Sequence, residues 1–182
     1  MSESTSRYLD AFPNYLKSLG SDVLELSEIL KDESVPAPVR RQVAGSVNYL
    51  FKSLDLIPDG VEDIGYLDDA FVLRIAASLA VHGSQIANEG QTAILVRFAE
   101  ESALIKEFLG DTYGRFETYV KALAKGAARG RTVDEILGDG SVRDALLADV
   151  AAWSASYESP SFTREESTLT KMLSFLDSKL PR

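Results

Sequence analysis

The sequence contains no cysteine. That removes disulfides, thiolate nucleophiles and thiolate metal ligands together, and it fits a reducing compartment. It has one histidine, His82, too few for an imidazole-based metal site. There is no Gly-x-Ser-x-Gly nucleophile motif and no Gly-x-x-x-x-Gly-Lys phosphate loop. No apolar run reaches the roughly 18–20 residues that span a bilayer; the nearest, Ala70 to Val81, is interrupted by Arg74. The opening MSESTSRYLDAF lacks the basic segment and apolar core of a secretory signal. Runs of alternating β-branched residues bounded by turns are missing too, so no strand is expected. These absences predict a cytoplasmic, all-α chain.

What is present is helical periodicity. The stripe Tyr8, Phe12, Tyr15, Leu19, Val23, Leu26 and Leu30 puts seven apolar residues on one face of a first helix, which Gly20 bends or splits. Pro38 opens a second helix with Val39, Val43, Val47, Leu50 and Leu54 inward. A third runs from about Leu67 to Val81. Residues 91–109 form a helix with Ile94, Leu95, Phe98, Ile105 and Phe108 inward, and Asp111 caps the next, which carries Tyr113, Phe116, Val120 and Leu123. Thr132 with Glu135 and Thr163 with Glu166 match capping boxes, and Ser141 reads as an N-cap. The last helix carries Leu169, Met172, Leu173, Leu176 and Leu180. The 182 residues therefore read as one domain, 1–182. It is a compact bundle of about six to seven helices with a structured Asp/Pro/Gly turn between helices two and three. Residues 90–182 form the helical C-terminal half of that domain.

The net charge is −9, which opposes general nucleic-acid binding and attraction to anionic lipid. It is unevenly spread. Residues 54–111 hold eleven acids and three bases, whereas 112–131 hold one acid and five bases. Lys121, Lys125 and Arg129 follow each other at steps of four, as on one helix face. They read as a solvated face near a helix end, or as an anion or partner patch able to meet the acidic stretch.

The sharpest feature is the run from Leu54 to Asp69, which has six carboxylates and no lysine or arginine. Like charges at this density resist ionisation where they are close and buried. One reading makes them caps: Asp68 and Asp69 at the start of a helix, Asp55 and Asp59 around the Ile57-Pro58 turn. The other makes them ligands of Mg²⁺ or Ca²⁺, with oxygens from Asp55, Asp59, Asp63, Asp68 and Asp69. An EF-hand is excluded, because Ile57 and Tyr66 would fall at liganding positions three and twelve.

Asp55, Leu56-Ile57-Pro58-Asp59, Gly65 and Asp68-Asp69 also form an ordered motif with apolar flanks at Tyr49-Leu50 and Phe71-Val72-Leu73. This pattern resembles the YkvA-like family of small bacterial helical proteins, a domain of unknown function, over about residues 36–80. The resemblance implies a local fold and no named activity. Gly60 and Glu62 stand where the family usually has an apolar residue and a proline. The apolar stretch after the double aspartate, long in many members and suggestive of membrane contact, is short here.

His82 near a helix end complements the dipole, and Trp153 and Tyr157 at i, i+4 pack together. The resulting expectation is a non-enzymatic helical module acting through another protein or a second copy of itself. One alternative is a divalent-cation protein or metal-dependent phosphoester hydrolase using the acidic turn. A second is peripheral membrane association through Ala70 to Val81.

Overall fold

The computed structural model describes residues 2–86 and 90–182. The chain is an all-helical bundle with one very small hairpin. α1 (Glu3–Glu28) starts at Ser2, whose side chain accepts from the Thr5 amide, and runs unbroken through Gly20. A single 3₁₀ turn, Ile29–Lys31, follows. α2 (Ala37–Tyr49) begins at the Pro36–Pro38 punctuation, where proline's fixed φ suits a first helical turn. α3 (Leu67–Gly83), α4 (Ala93–Leu109) and α5 (Tyr113–Leu123) come next. The hairpin pairs β1 (Ala127–Ala128) with β2 (Arg131–Thr132). α6 (Val133–Gly138), α7 (Gly140–Ser156) and α8 (Glu166–Lys179) complete the order. Seven of these helices have eleven residues or more, and α6 is a short spur.

α3 is the central rod. Every residue from Leu67 to Ala77 is buried, and α1, α2, α4 and α5 all pack on it. A helix apolar on all sides belongs inside a bundle or a membrane; here protein encloses the stretch that resembled a membrane-contact segment. Phe12, Phe71 and Phe108 interlock edge to face at its middle, with ring centroids 4.9–6.3 Å apart. The core cluster continues from Leu9 on α1 to Leu180 beyond α8. α2 meets α5 closely enough that a Cβ on Gly45 would lie 2.7 Å from the Leu123 carbonyl. Among the described residues no helix is long and apolar enough to cross a membrane.

Several local expectations need correction. Leu54 does not continue the buried face of α2. The helix ends at Tyr49, and the chain turns Leu54 outward to 79% exposure. A short hairpin exists where no strand was expected, closed by Arg129 and Gly130 at positive φ. It is two residues a side, too short to leave an alternating pattern. Thr132 and Glu135 do form a capping box. The N-cap of α7 is Asp139, which receives the Ser141 amide. Thr163 makes no capping box, since the N-cap position of α8 is Glu165, which makes no side-chain cap bond. Asp111 lies in a 3₁₀ turn before α5 and does not cap it. The segment between α3 and α4 includes residues 87–89, which lie outside the described residues.

Candidate functional site

The acidic turn leaves α2 at Tyr49 and enters α3 at Leu67. Leu56, Ile57 and Ile64 are buried and anchor it from below. Pro58 starts a turn closed by the Val61 amide on the Pro58 carbonyl at 2.9 Å, and the Gly65 amide bonds the Val61 carbonyl at 2.8 Å. Asp63 and Tyr66 hold left-handed φ values of 69° and 64°, uncommon for non-glycine residues. Gly65 is required by space: a Cβ there would stand 2.1 Å from the Asp59 carbonyl oxygen.

Asp68 is the hub. Its Oδ2 accepts from the Tyr49 hydroxyl at 2.6 Å and from the Ile57 amide at 3.0 Å, while the Leu56 amide donates to the same Tyr49 oxygen at 2.8 Å. The side chain expected to cap α3 therefore ties down the loop. The residue in the N-cap position is Tyr66, with no side-chain cap bond. Asp68 and Asp69 still sit in the first turn, at the positive end of the helix dipole.

Asp68 is 0% exposed and Asp69 3%. Asp68 Oδ1, Asp69 Oδ2 and Asp55 Oδ1 are buried and have no hydrogen-bond partner. Burial disfavours the charged form and pushes all three carboxyls up. Asp55 rises to about 7, helped by the neighbouring Asp68 and Asp59. Asp68 rises to about 6 against the opposing bonds from Tyr49 and Ile57. Asp69 rises well above the carboxylate range through burial and then the charge of Asp68. Asp59 is raised by partial burial and opposed by the Tyr66 hydroxyl. Tyr66 in turn is pushed up to about 12, by burial first and then by Asp59. Its ring packs edge-on against Trp153 and Tyr157, which stack on each other at 4.8 Å. α7 thus roofs the turn.

Asp63 belongs to another contact. Its Oδ1 accepts the Thr163 amide at 2.8 Å, and Lys171 Nζ donates to the Glu62 carbonyl at 2.8 Å. This side of the turn clips the segment leading into α8. Among the described residues no three histidine or acidic side chains are gathered tightly enough to hold a metal ion as they stand.

The basic residues do not share a helix face. α5 ends at Leu123, leaving Lys125 after it and Arg129 in the hairpin turn. Lys121 pairs with Glu117 at 2.8 Å, and Arg129 lies 3.8 Å from Asp149, so these two meet acids outside the turn. His82, exposed in the last turn of α3, has Nδ1 2.7 Å from the Ser78 carbonyl.

Sequence reading missed the part played by three phenols. Tyr49 registered only as an apolar flank, Tyr66 only as a residue between Gly65 and Asp68, and Tyr157 only as a packing partner of Trp153. A signal for Tyr49 exists, since a tyrosine on a buried helix face needs a partner for its hydroxyl.

One consequence concerns pH. Burial raises Asp68 to about 6 and Asp55 to about 7 in the folded chain, above the ordinary aspartate value of 3.8. Between those limits the folded state holds more protons than the unfolded, so stability falls as pH rises. Their contribution is full below the unfolded value and is lost as pH passes through about 6–7. In EDTA, the melting temperature should fall between about pH 5 and pH 8, and Asp55→Asn should flatten the decline. A melting temperature that rises steadily over that range would contradict this assignment.

No curated protein and no solved structure matches the chain. Residues 39–75, from the first turn of α2 through the acidic turn into α3, match the family described as Protein of unknown function (DUF1232).

Proposed function

We propose that this chain is a non-enzymatic, helical protein-interaction module of YkvA-like type. In this reading the acidic turn is the keystone that shapes its contact surface. The observation that carries it is Leu54. Only Leu24 and Leu54 are exposed large hydrophobic residues among those described, at 40% and 79%. Leu54 sits on a loop whose next residues are fixed by the Tyr49–Asp68 bonds. It borders a surface depression formed by Phe51, Lys52 and the hairpin residues Ala127–Gly130. What supports a contact surface is the leucine's place beside an apolar hollow with a basic rim, since an exposed leucine alone is ordinary.

The alternatives receive less support. Phosphoester hydrolysis needs an ion that substrate can reach, and the two most deeply placed carboxylates, Asp68 and Asp69, are closed off by protein. Membrane attachment through Ala70 to Val81 needs a face that the bundle already covers.

A photo-crosslinking residue at position 54 should capture a discrete partner, or a second copy, in cells. The same residue at exposed Glu25 on α1 should not. Leu54→Glu should abolish competition for that partner while shifting stability by only about 0.5 kcal/mol or less, as for an ordinary surface change. Equal capture at both positions would defeat the reading.

A further inference from the structure

Where α2 ends against α5 and the hairpin, the surface holds a slot of about 150 Å³. Gly45, Tyr49, Ala122, Leu123 and Gly126 are among its walls, so it is largely apolar and two of its walls are bare backbone. It shares Lys52, Ala127 and Ala128 with the depression of about 440 Å³ beside Leu54, and the two form one groove. A cavity near 150 Å³ admits about one benzene-sized group, whereas small-molecule and cofactor sites start at roughly 300 Å³. The slot therefore suits a single side chain. Its shape is held from behind, because the Tyr49 ring lines it while the Tyr49 hydroxyl is tied to Asp68.

The rim of this groove is basic on a chain of net charge −9. Lys52 and Arg129 line it, and exposed Lys125 directly precedes Gly126. Lys52 is turned to a ring, donating to the Tyr119 hydroxyl at 2.8 Å with its ammonium 4.9 Å from the ring centroid. Lys125 enters no ion pair among the described residues, and Arg129 approaches Asp149 only to 3.8 Å. Three bases with one loose ion pair between them leave positive charge for an outside anion. We infer that the groove binds an acidic segment of a partner protein, seating one leucine- or phenylalanine-sized side chain in the slot and its carboxylates on Lys52, Lys125 and Arg129. With a screening length of about 8 Å at physiological salt, these near charges outweigh the acids farther off. A nucleic acid fits less well, because its charge runs on past the groove over an acidic surface. The inference rests on the contact-surface reading of Leu54 and gives that surface's partner a chemistry.

The test is display selection of random twelve-residue peptides on the purified full chain, with counter-selection on Ala122→Phe, which puts a ring at an exposed position lining the slot. Selected peptides should carry Asp or Glu around one Leu, Ile, Met or Phe. A synthetic copy of the most enriched peptide should bind at least about tenfold more weakly once that apolar residue is alanine, as loss of a buried large side chain implies. Lys125→Glu and raised salt should each weaken binding, and Lys17→Glu on α1 should not. If Ala122→Phe does not fold, counter-selection uses Lys125→Glu, whose side chain is exposed. No enriched peptide, neutral or basic peptides, or peptides that bind the counter-selected variant equally would overturn the proposal. So would a native dimer that Ala122→Phe turns into a monomer, which assigns the groove to a second copy. Partner capture at position 54 alongside any of these results would leave the contact surface standing with another occupant. Acidic peptides in the slot without capture at position 54 would instead remove Leu54 from the contact.

Discussion

Replacing Arg74 with methionine is expected to destabilise the fold by about 3–5 kcal/mol, as when one partner of a buried ion pair is removed. For a chain of this size that lowers the melting temperature by about 6–20 °C. Arg74 is 1% exposed, on the helix at the centre of the bundle. Its Nη2 donates to Asp22 at 3.2 Å and its Nε to Glu101 at 2.6 Å. The guanidinium carbon lies 3.8 Å from the Tyr15 ring centroid and 4.4 Å from that of Phe98. Methionine fills much of the volume, so the loss is electrostatic more than steric. Asp22, which is 3% exposed, would keep Ser18 and the half-exposed Arg97 as partners among those described. Adding Asp22→Asn to Arg74→Met should therefore recover part of the loss, because it removes the stranded charge. Chemical denaturation of the two single variants and the double variant measures this directly. A loss below about 1 kcal/mol in Arg74→Met would mean that Asp22 regains water and that the network is not a central brace.

That network marks the boundary of what the sequence made legible. Arg74 is visible there as an interruption in an apolar run, which correctly argues against a spanning helix. Its partner Asp22 is 52 positions away, and no local pattern connects them. A hint does exist, because Asp22 falls among the Tyr15, Leu19 and Leu26 positions of the buried stripe, where a charge needs a reason. The helices themselves are strongly legible, since apolar spacing of three and four reports a buried face directly. Chain ends of helices are less so. Thr163–Glu166 has the letters of a capping box, yet the Thr163 carbonyl accepts from Thr168 Oγ1 and its amide goes to Asp63. A distant contact outcompetes the local one. The aspartate motif likewise gave the right place and only part of the chemistry. Its spacing locates the turn, but which oxygen is bonded and which is stranded depends on Tyr49 from the preceding helix. Asp63 has the same composition signal as its neighbours and faces the other way, because its left-handed backbone turns it toward α8.

Gly65→Ala is the change expected to do most damage to the turn itself, about 3 kcal/mol, at the upper end for overpacking. The methyl would meet the Asp59 carbonyl oxygen at 2.1 Å, its carbon at 2.8 Å and the Val61 oxygen at 3.1 Å. All three are backbone atoms, so no rotamer change relieves the contact. The strand of chain bearing Asp59 has to move, and the Gly65–Val61 bond that closes the turn moves with it. Gly60→Ala is the matched control. Nothing lies within 4 Å of its added methyl, so its effect should stay within about 0.5 kcal/mol, the usual range for surface sites. Amide hydrogen exchange at Leu56 and Ile57 separates a local from a global response, because those amides bond Tyr49 and Asp68 across the turn. In Gly65→Ala they should exchange faster than the amides of α4, whose packing does not involve the turn. Equal acceleration everywhere would mean that the turn is no independent unit and that its geometry is inseparable from the core. Selective acceleration would tie the glycine, the loop and the buried carboxyls into one unit. The glycine lets the backbone close, closure brings Leu56 and Ile57 to Tyr49 and Asp68, and those bonds hold one Asp68 oxygen while leaving the other without a partner.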